Sequence, residues 1–242
     1  MAVIRLLMLR HGATRGNTEK RYIGTTDESI LPSERMKLSH GIFGKGAENR
    51  VPGFEPEPVI FVSPLKRTSE TATAIFPGGR QMVIPEFREC DFGAFENRNY
   101  MELSGRSDYQ AWIDSGGTLP FPGGESMETF RKRTLSGFDR VMAFCRDASL
   151  PSAVLVVHGG TIMSILSAYA KPKGDYYDFQ VRPGSGYLVE ADSGRYRMSG
   201  LRVLEAVDAE QPCGSAVSSA AENAEAQRSE EQKSEEKGPE TQ

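Results

Sequence analysis

The chain has 242 residues, 38% of them hydrophobic and 26% charged, with a net charge of −4; this suits one domain with a full core and argues against nucleic-acid binding, which calls for a basic patch interleaved with aromatic residues. No apolar run approaches the roughly 18 to 20 residues that span a bilayer, and the N-terminus lacks the long apolar region and small-residue cleavage site of a secretory signal, so a cytoplasmic protein with no membrane partner is expected. Cys90, Cys145 and Cys213 are widely spaced and form no C-x-x-C pair, which fits ordinary reduced thiols better than a disulfide framework or a zinc site.

Along the chain, Val3 to Leu9 is an apolar run broken only by Arg5, the pattern of a strand covered on both faces in a parallel sheet. The stretch "GIFGKGAENRVPGFEPEPV", from 41 to about 58, is loop-rich and a candidate lid or simply a long connection. Val59 to Val62 reads as a second strand, and "SPLKRTSETATAIF" after it as a helix with Ser63 at the N-cap and Pro64 at its first position. A helix over about Met127 to Cys145 places Phe130, Phe138, Val141, Met142 and Cys145 on one stripe. Val154 to Val157 is a third buried strand, followed by a helix over Gly160 to Ala170. "GYLVEADSGRYRMSGLRVLE" reads as two strands around the turn Asp192-Ser193-Gly194. Alternating strands and helices of this kind imply an α/β fold with three layers, helix, sheet and helix, around a mostly parallel sheet.

Charge divides the chain more sharply than the net value suggests. From Glu205 onward ten acidic residues face three basic ones, a net of −7, and the rest of the chain carries +3. The end of the chain is rich in Ala, Glu, Gln, Ser and Lys with no aromatic residue, a composition that cannot bury enough apolar surface to offset its ordering entropy. Residues 1–206 are therefore expected to form the folded domain and 207–242 an acidic, disordered tail. The alternative, an amphipathic helix docking on a partner, lacks the apolar i, i+3, i+4 spacing.

Two of the three histidines, His11 and His158, fall just past the carboxyl ends of predicted strands, and each is followed by glycine. In open parallel sheets ligands bind at that edge, where helix N-termini point inward. A lone His-Gly pair is weak evidence, but two at matching strand ends are not, and His40, in a polar stretch, serves as the contrast. Arg10 and Arg67, the latter one turn into the helix after the second strand, add guanidinium forks suited to phosphate oxygens. Taken alone, Arg67 reads as a solvated helix residue, Glu89 as a loop carboxylate and Asn17 as a helix or turn cap. Two imidazoles and two guanidiniums together describe a small anion site. Arginines beside the histidines oppose a metal cation, and no H-x-x-x-H or H-E-x-x-H spacing occurs, so neither a metal nor another cofactor is expected.

The segments "LRHGATRGN", "SPLKRTSETA", "ECDFGAFE", "PGGES" and "VVHGGTI", in that order, resemble the histidine phosphatase superfamily, whose fold is also called phosphoglycerate mutase-like, over residues 3 to 205. The resemblance implies that His11 is the nucleophile that becomes phosphorylated. It implies that Arg10, Arg67 and a cationic His158 hold the transferring phosphoryl group, with Asn17 and the Gly159 amide assisting. Glu89 would protonate the leaving oxygen, and Gly24 in "RYIGTTD" would line the substrate pocket. Ala13 and Asn97 stand where the family often has Glu and Gly, and neither change removes a catalytic group. Mutase members carry Arg directly after the acid, whereas Cys90 stands there here, which favours a phosphomonoester hydrolase acting on a small phosphorylated substrate. The "RYIGTTD" and "PGGES" segments are similar to those of alpha-ribazole phosphatase-like members, so alpha-ribazole 5'-phosphate or another small phosphorylated metabolite is the expected substrate. A phosphoglycerate mutase and a non-catalytic phosphate-binding module are the alternatives.

Overall fold

The computed structural model describes residues 3–40, 54 and 57–208. Its elements in chain order are strand β1 (Val3–Arg10), helices α1 (Arg15–Thr18) and α2 (Pro32–His40), β2 (Val59–Val62), α3 (Lys66–Ile75), β3 (Arg80–Val83), α4 (Tyr100–Leu103), α5 (Ser107–Asp114) and α6 (Met127–Asp147). There follow β4 (Ser152–Val157), α7 (Gly159–Tyr169), β5 (Ala170–Lys171), β6 (Ser185–Asp192), α8 (Tyr196–Ser199) and β7 (Leu201–Asp208).

Seven strands form one sheet in the order β3-β2-β4-β1-β6-β7-β5. β1, β2, β3 and β4 pair in parallel, β6 runs against both β1 and β7, and β5 lies parallel to β7. Successive side chains of a strand point to opposite faces, and both faces are buried here. Ile4, Leu6 and Met8 of β1 join Ala153, Leu155 and Val157 of β4 in a core completed by Phe138, Val141 and Met142 of α6 and Ile162, Ile165 and Leu166 of α7. On the other face Leu7 and Leu9 join Val154 and Val156, covered by Leu38 of α2 and Ala72 and Ile75 of α3. The expected three-layer α/β architecture with a mostly parallel sheet is present.

The differences from expectation have local causes. α3 begins at Lys66 with Leu65 as its cap residue, because the Ser63 hydroxyl is engaged elsewhere, as described below. The two final strands are joined by a turn and by α8, because Tyr196 is buried edge-on against Phe138 and Tyr169, with ring centroids 5.4 and 5.3 Å apart. His40 ends α2, where its Nδ1 lies 2.8 Å from the Met36 carbonyl, rather than lying in a loop. β3, α2, α4 and α5 carried no sequence signal used above. Cys90 and Cys145 are free thiols buried in the domain, and burial pushes both thiol pKa values up. Among the described residues no helix is long and apolar enough to cross a membrane.

The last strand carries order two residues past the expected domain end: Val207 is 9% exposed, and Asp208 accepts from Arg182 at 2.7 Å. The acidic segment from 209 and Cys213 lie outside the described residues, as does most of the loop-rich stretch between 41 and 58. Because every apolar face counted above is complete by Asp208, a chain ending there is expected to keep the melting temperature and turnover of the full chain. A fall of several degrees on this truncation, read by calorimetry, would show that later residues pack on the domain.

Candidate active site

Three parallel strands end side by side, and the residues just past them meet. β1 supplies Arg10 and then His11, β2 is followed by Ser63, and β4 by His158, which caps α7. The His11 amide donates to the Val157 carbonyl at 2.9 Å, so the β1–β4 pairing continues one residue into the site. The imidazoles of His11 and His158 stand edge to face with centroids 5.1 Å apart, and both are buried.

Hydrogen bonding decides what each ring offers. His11 Nδ1 lies 2.8 Å from the Gly12 carbonyl; a carbonyl only accepts, so Nδ1 carries the proton and the Nε2 lone pair is left available. The Ser63 Oγ lies 2.8 Å from His158 Nε2 and already accepts from the Leu65 amide at 3.1 Å. A hydroxyl has two lone pairs besides its proton, so Ser63 can donate to Nε2 or accept from it, and this contact does not by itself place the His158 proton on Nδ1. That nitrogen is buried without a hydrogen-bond partner; Glu89 Oε2, at 3.9 Å, is too far.

The guanidiniums are held by backbone. Arg67, 1% exposed, donates from Nη1 to the Thr26 carbonyl at 2.8 Å and from Nη2 to those of Gly24 and Ile23 at 3.1 and 3.3 Å. Arg10 donates from Nη1 to the Val181 carbonyl at 2.8 Å. In both side chains Nε is buried and has no hydrogen-bond partner among the described residues. A Cβ on Gly159, the first residue of α7, would lie 3.6 Å from Arg10 Nε, and one on Gly160 would lie 3.0 Å from Glu89 Oε1. Arg10 and Glu89 therefore flank the N-terminus of an 11-residue helix, where unpaired amides and the helix dipole favour an anion.

Electrostatics follow from this crowding. Burial first, then the Arg67 and Arg10 charges, hold the His11 pKa well below 6.5. Burial, Arg67, His11 and Arg10 do the same to His158. The expectation of a cationic His158 is thus corrected for the free site: two guanidiniums are already there, and a third positive charge is opposed. Burial raises the Glu89 carboxyl above 4.5, against the Cys90 amide that donates to Oε1 at 2.9 Å and the Arg67 and Arg10 charges that pull it back. Burial likewise lowers both arginines, with Glu89 opposing.

Of the remaining sequence-predicted residues, Asn17 spends its amide oxygen on the Thr14 amide at 3.2 Å in a reciprocal cap of α1, which leaves its NH2 as the group able to donate. Gly24 supports Arg67 from behind: its carbonyl accepts from the guanidinium, and a Cβ there would sit 1.9 Å from the Cys90 carbonyl. Sequence reasoning missed Ser63 and Glu96. Glu96, the acid of "GAFE", accepts from the Gly24 and Thr26 amides and the Thr26 hydroxyl at 2.7 to 3.1 Å. It thereby fixes the loop whose carbonyls grip Arg67. The acid in that segment was the available signal, but its contacts join positions 70 or more residues apart.

Three buried nitrogens without a hydrogen-bond partner among the described residues, Arg10 Nε, Arg67 Nε and His158 Nδ1, beside one imidazole lone pair and one carboxyl, suit an anionic ester rather than a metal. Comparison with known proteins agrees. Residues 6–203 match the histidine phosphatase superfamily (branch 1). The chain is 25% identical over 199 residues to the adenosylcobalamin/alpha-ribazole phosphatase of Salmonella typhimurium, covering 79% of this chain and 92% of that one. A crystal structure of the alpha-ribazole phosphatase from Shigella flexneri shares the fold with a TM-score of 0.68 at 19% identity, over 86% of this chain and 98% of that one. A phosphoglycerate mutase structure from Thermus thermophilus aligns with a TM-score of 0.57 at 28% identity, over 84% and 98%. The chain belongs to the histidine phosphatase superfamily (branch 1) and is an enzyme with phosphatase activity.

Proposed function

We propose that the enzyme hydrolyses small phosphomonoesters through a phosphohistidine formed on His11. The observation that carries this reading is the set of buried nitrogens without partners among the described residues, Arg10 Nε, Arg67 Nε and His158 Nδ1, around an imidazole whose Nε2 lone pair is available. Phosphoryl transfer spreads charge over three equatorial oxygens, so fixed donors in a dry site supply much of the acceleration. Here Arg10, Arg67, His158 Nδ1–H, the Asn17 amide group and the Gly159 amide would hold those oxygens.

In the first step His11 Nε2 attacks phosphorus, the ester P–O bond breaks, and the Glu89 carboxyl proton passes to the departing oxygen. In the second, Glu89 carboxylate takes a proton from water as that water attacks the phosphohistidine. The P–N bond breaks, inorganic phosphate leaves, and His11 and Glu89 return to their starting states. A depressed His11 pKa keeps the nucleophile neutral to below pH 6.5, and a raised Glu89 pKa keeps the acid protonated to higher pH than an ordinary carboxyl.

Within this class, alpha-ribazole 5'-phosphate is the substrate we favour, on the 25% identity that spans 92% of the Salmonella enzyme. A mutase would have to retain the phosphoenzyme and grip a carboxylate. The residue after Glu89 is Cys90, buried and uncharged, which supplies no such grip. Conversion of 3-phosphoglycerate to its 2-isomer by the purified protein would favour the mutase.

Two outcomes test the proposal. Rapid quench with labelled substrate should trap protein-bound phosphate that is acid-labile and base-stable, and His11→Ala should abolish it; label retained in that variant would refute the nucleophile. Glu89→Gln should lower kcat/KM on an alkyl phosphate by two or more orders of magnitude beyond its effect on 4-nitrophenyl phosphate. General-acid assistance is worth about 10²- to 10⁴-fold, roughly 3 to 5 kcal/mol, and a good leaving group does not need it. Arg67→Ala, which removes a phosphoryl contact, should lower both alike. The alkyl rate of the parent enzyme should also fall as pH rises through the raised Glu89 pKa, a limb that the Gln variant lacks. Equal losses on both substrates for Glu89→Gln would leave that residue only a structural part.

A further inference from the structure

A proton donor must be placed to a fraction of an ångström, yet residues 88–92, which carry Glu89, have no regular secondary structure. No backbone ladder holds this segment, so something else must hold it. The contacts of Arg133, in the second turn of α6, do so.

Arg133 has five N–H donors and all five are used. Nε and Nη2 donate to the two carboxylate oxygens of Glu125 at 2.8 and 2.7 Å. The others reach the carbonyls of Glu86, Arg88 and Glu89 at 2.8, 2.7 and 3.0 Å. The main chain of Glu125 also takes part, its amide donating to the Asp91 carbonyl at 2.8 Å. One ion pair thus anchors four carbonyls on either side of and at the acid. The side chains are only 12% and 7% exposed, and the guanidinium lies 4.9 Å over the Phe130 ring, which also packs beside Gly160 at the start of α7. With no donor to spare, Arg133 cannot bind substrate. Glu125 neutralises a charge that would otherwise be buried against carbonyls alone.

We propose that Glu125 and Arg133 form a positioning pair for the general acid, fixing the backbone of Glu89 relative to the phosphoryl site so that its carboxyl meets the leaving oxygen. The proposal rests on Glu89 being the acid. It predicts a loss that depends on the leaving group, which a merely stabilising ion pair would not produce.

The test is the ratio of kcat/KM on ethyl phosphate to that on 4-nitrophenyl phosphate, measured on the same preparation so that any unfolded fraction cancels. Arg133→Lys keeps the charge but cannot span three carbonyls and a carboxylate, and Glu125→Gln removes the counter-charge. Each should lower the ratio by on the order of tenfold or more. In a Glu89→Gln background, Arg133→Lys should leave the ratio unchanged, because there is no longer an acid to misplace. An unchanged ratio in Arg133→Lys and Glu125→Gln, with the ratio collapsing in Glu89→Gln, would overturn the positioning role alone. An unchanged ratio in Glu89→Gln itself would remove the acid assignment and this inference with it.

Discussion

The structure depends on placing two guanidiniums, Arg67 fully buried and Arg10 buried at its Nε, beside two imidazoles. A buried charge is costly unless paired. Here the cost is offset in part by backbone carbonyls of the 23–26 loop and of Val181, and in part by the nearby carboxylates of Glu89, Glu28, Asp27 and Glu96. What stays unsatisfied is one Nε on each arginine and Nδ1 of His158. In the proposed mechanism these nitrogens are the groups that phosphoryl oxygens would satisfy. Burial first, and then the same positive field, keeps both imidazoles neutral, so in the proposed mechanism the arginines that would bind the phosphate also help prepare the nucleophile.

Each part of that arrangement is held by something further out. The sheet sets the spacing of His11 and His158 through the parallel register of β1 and β4, which pairs Arg10 with Val157. Ser63 extends from the neighbouring strand to hydrogen-bond His158 Nε2 at 2.8 Å and so orients that ring. Glu96 ties down the Gly24–Thr26 loop under Arg67, and Thr71 of α3 accepts from the Gly12 amide at 2.9 Å behind His11. These supports are buried acids, hydroxyls and backbone groups rather than apolar contacts, so they fix direction as well as distance.

How much of this was legible in the sequence varied with how local the cause was. The strands ending at Arg10 and Val157 announced themselves as apolar runs, and the two His-Gly pairs stood at their ends. α6 and α7 showed a broad apolar stripe or run. By contrast Arg80–Val83 carries one Arg and one Gln in four residues and pairs only at the sheet edge, so no alternation marked it. α2 buries little beyond Glu34 and Leu38, and its periodicity is correspondingly faint. Glu89 entered through family resemblance, because a carboxylate on irregular backbone has no pattern of its own. Ser63 and Glu96 act on residues 70 to 95 positions away and Arg133 grips carbonyls 44 to 47 positions away, while the neutrality of His158 is a property of the assembled site; neither can be read from neighbours in the chain.

Both site imidazoles are neutral in the free enzyme, and His11 carries its proton on Nδ1 with the lone pair on Nε2. Nitrogen NMR of histidine-labelled protein across a pH titration tests it most directly. Each ring is expected to show one protonated and one bare nitrogen through and below 6.5, the proton of His11 on Nδ1, with no imidazolium there. An imidazolium at either position near neutral pH, or a proton on His11 Nε2, would contradict it.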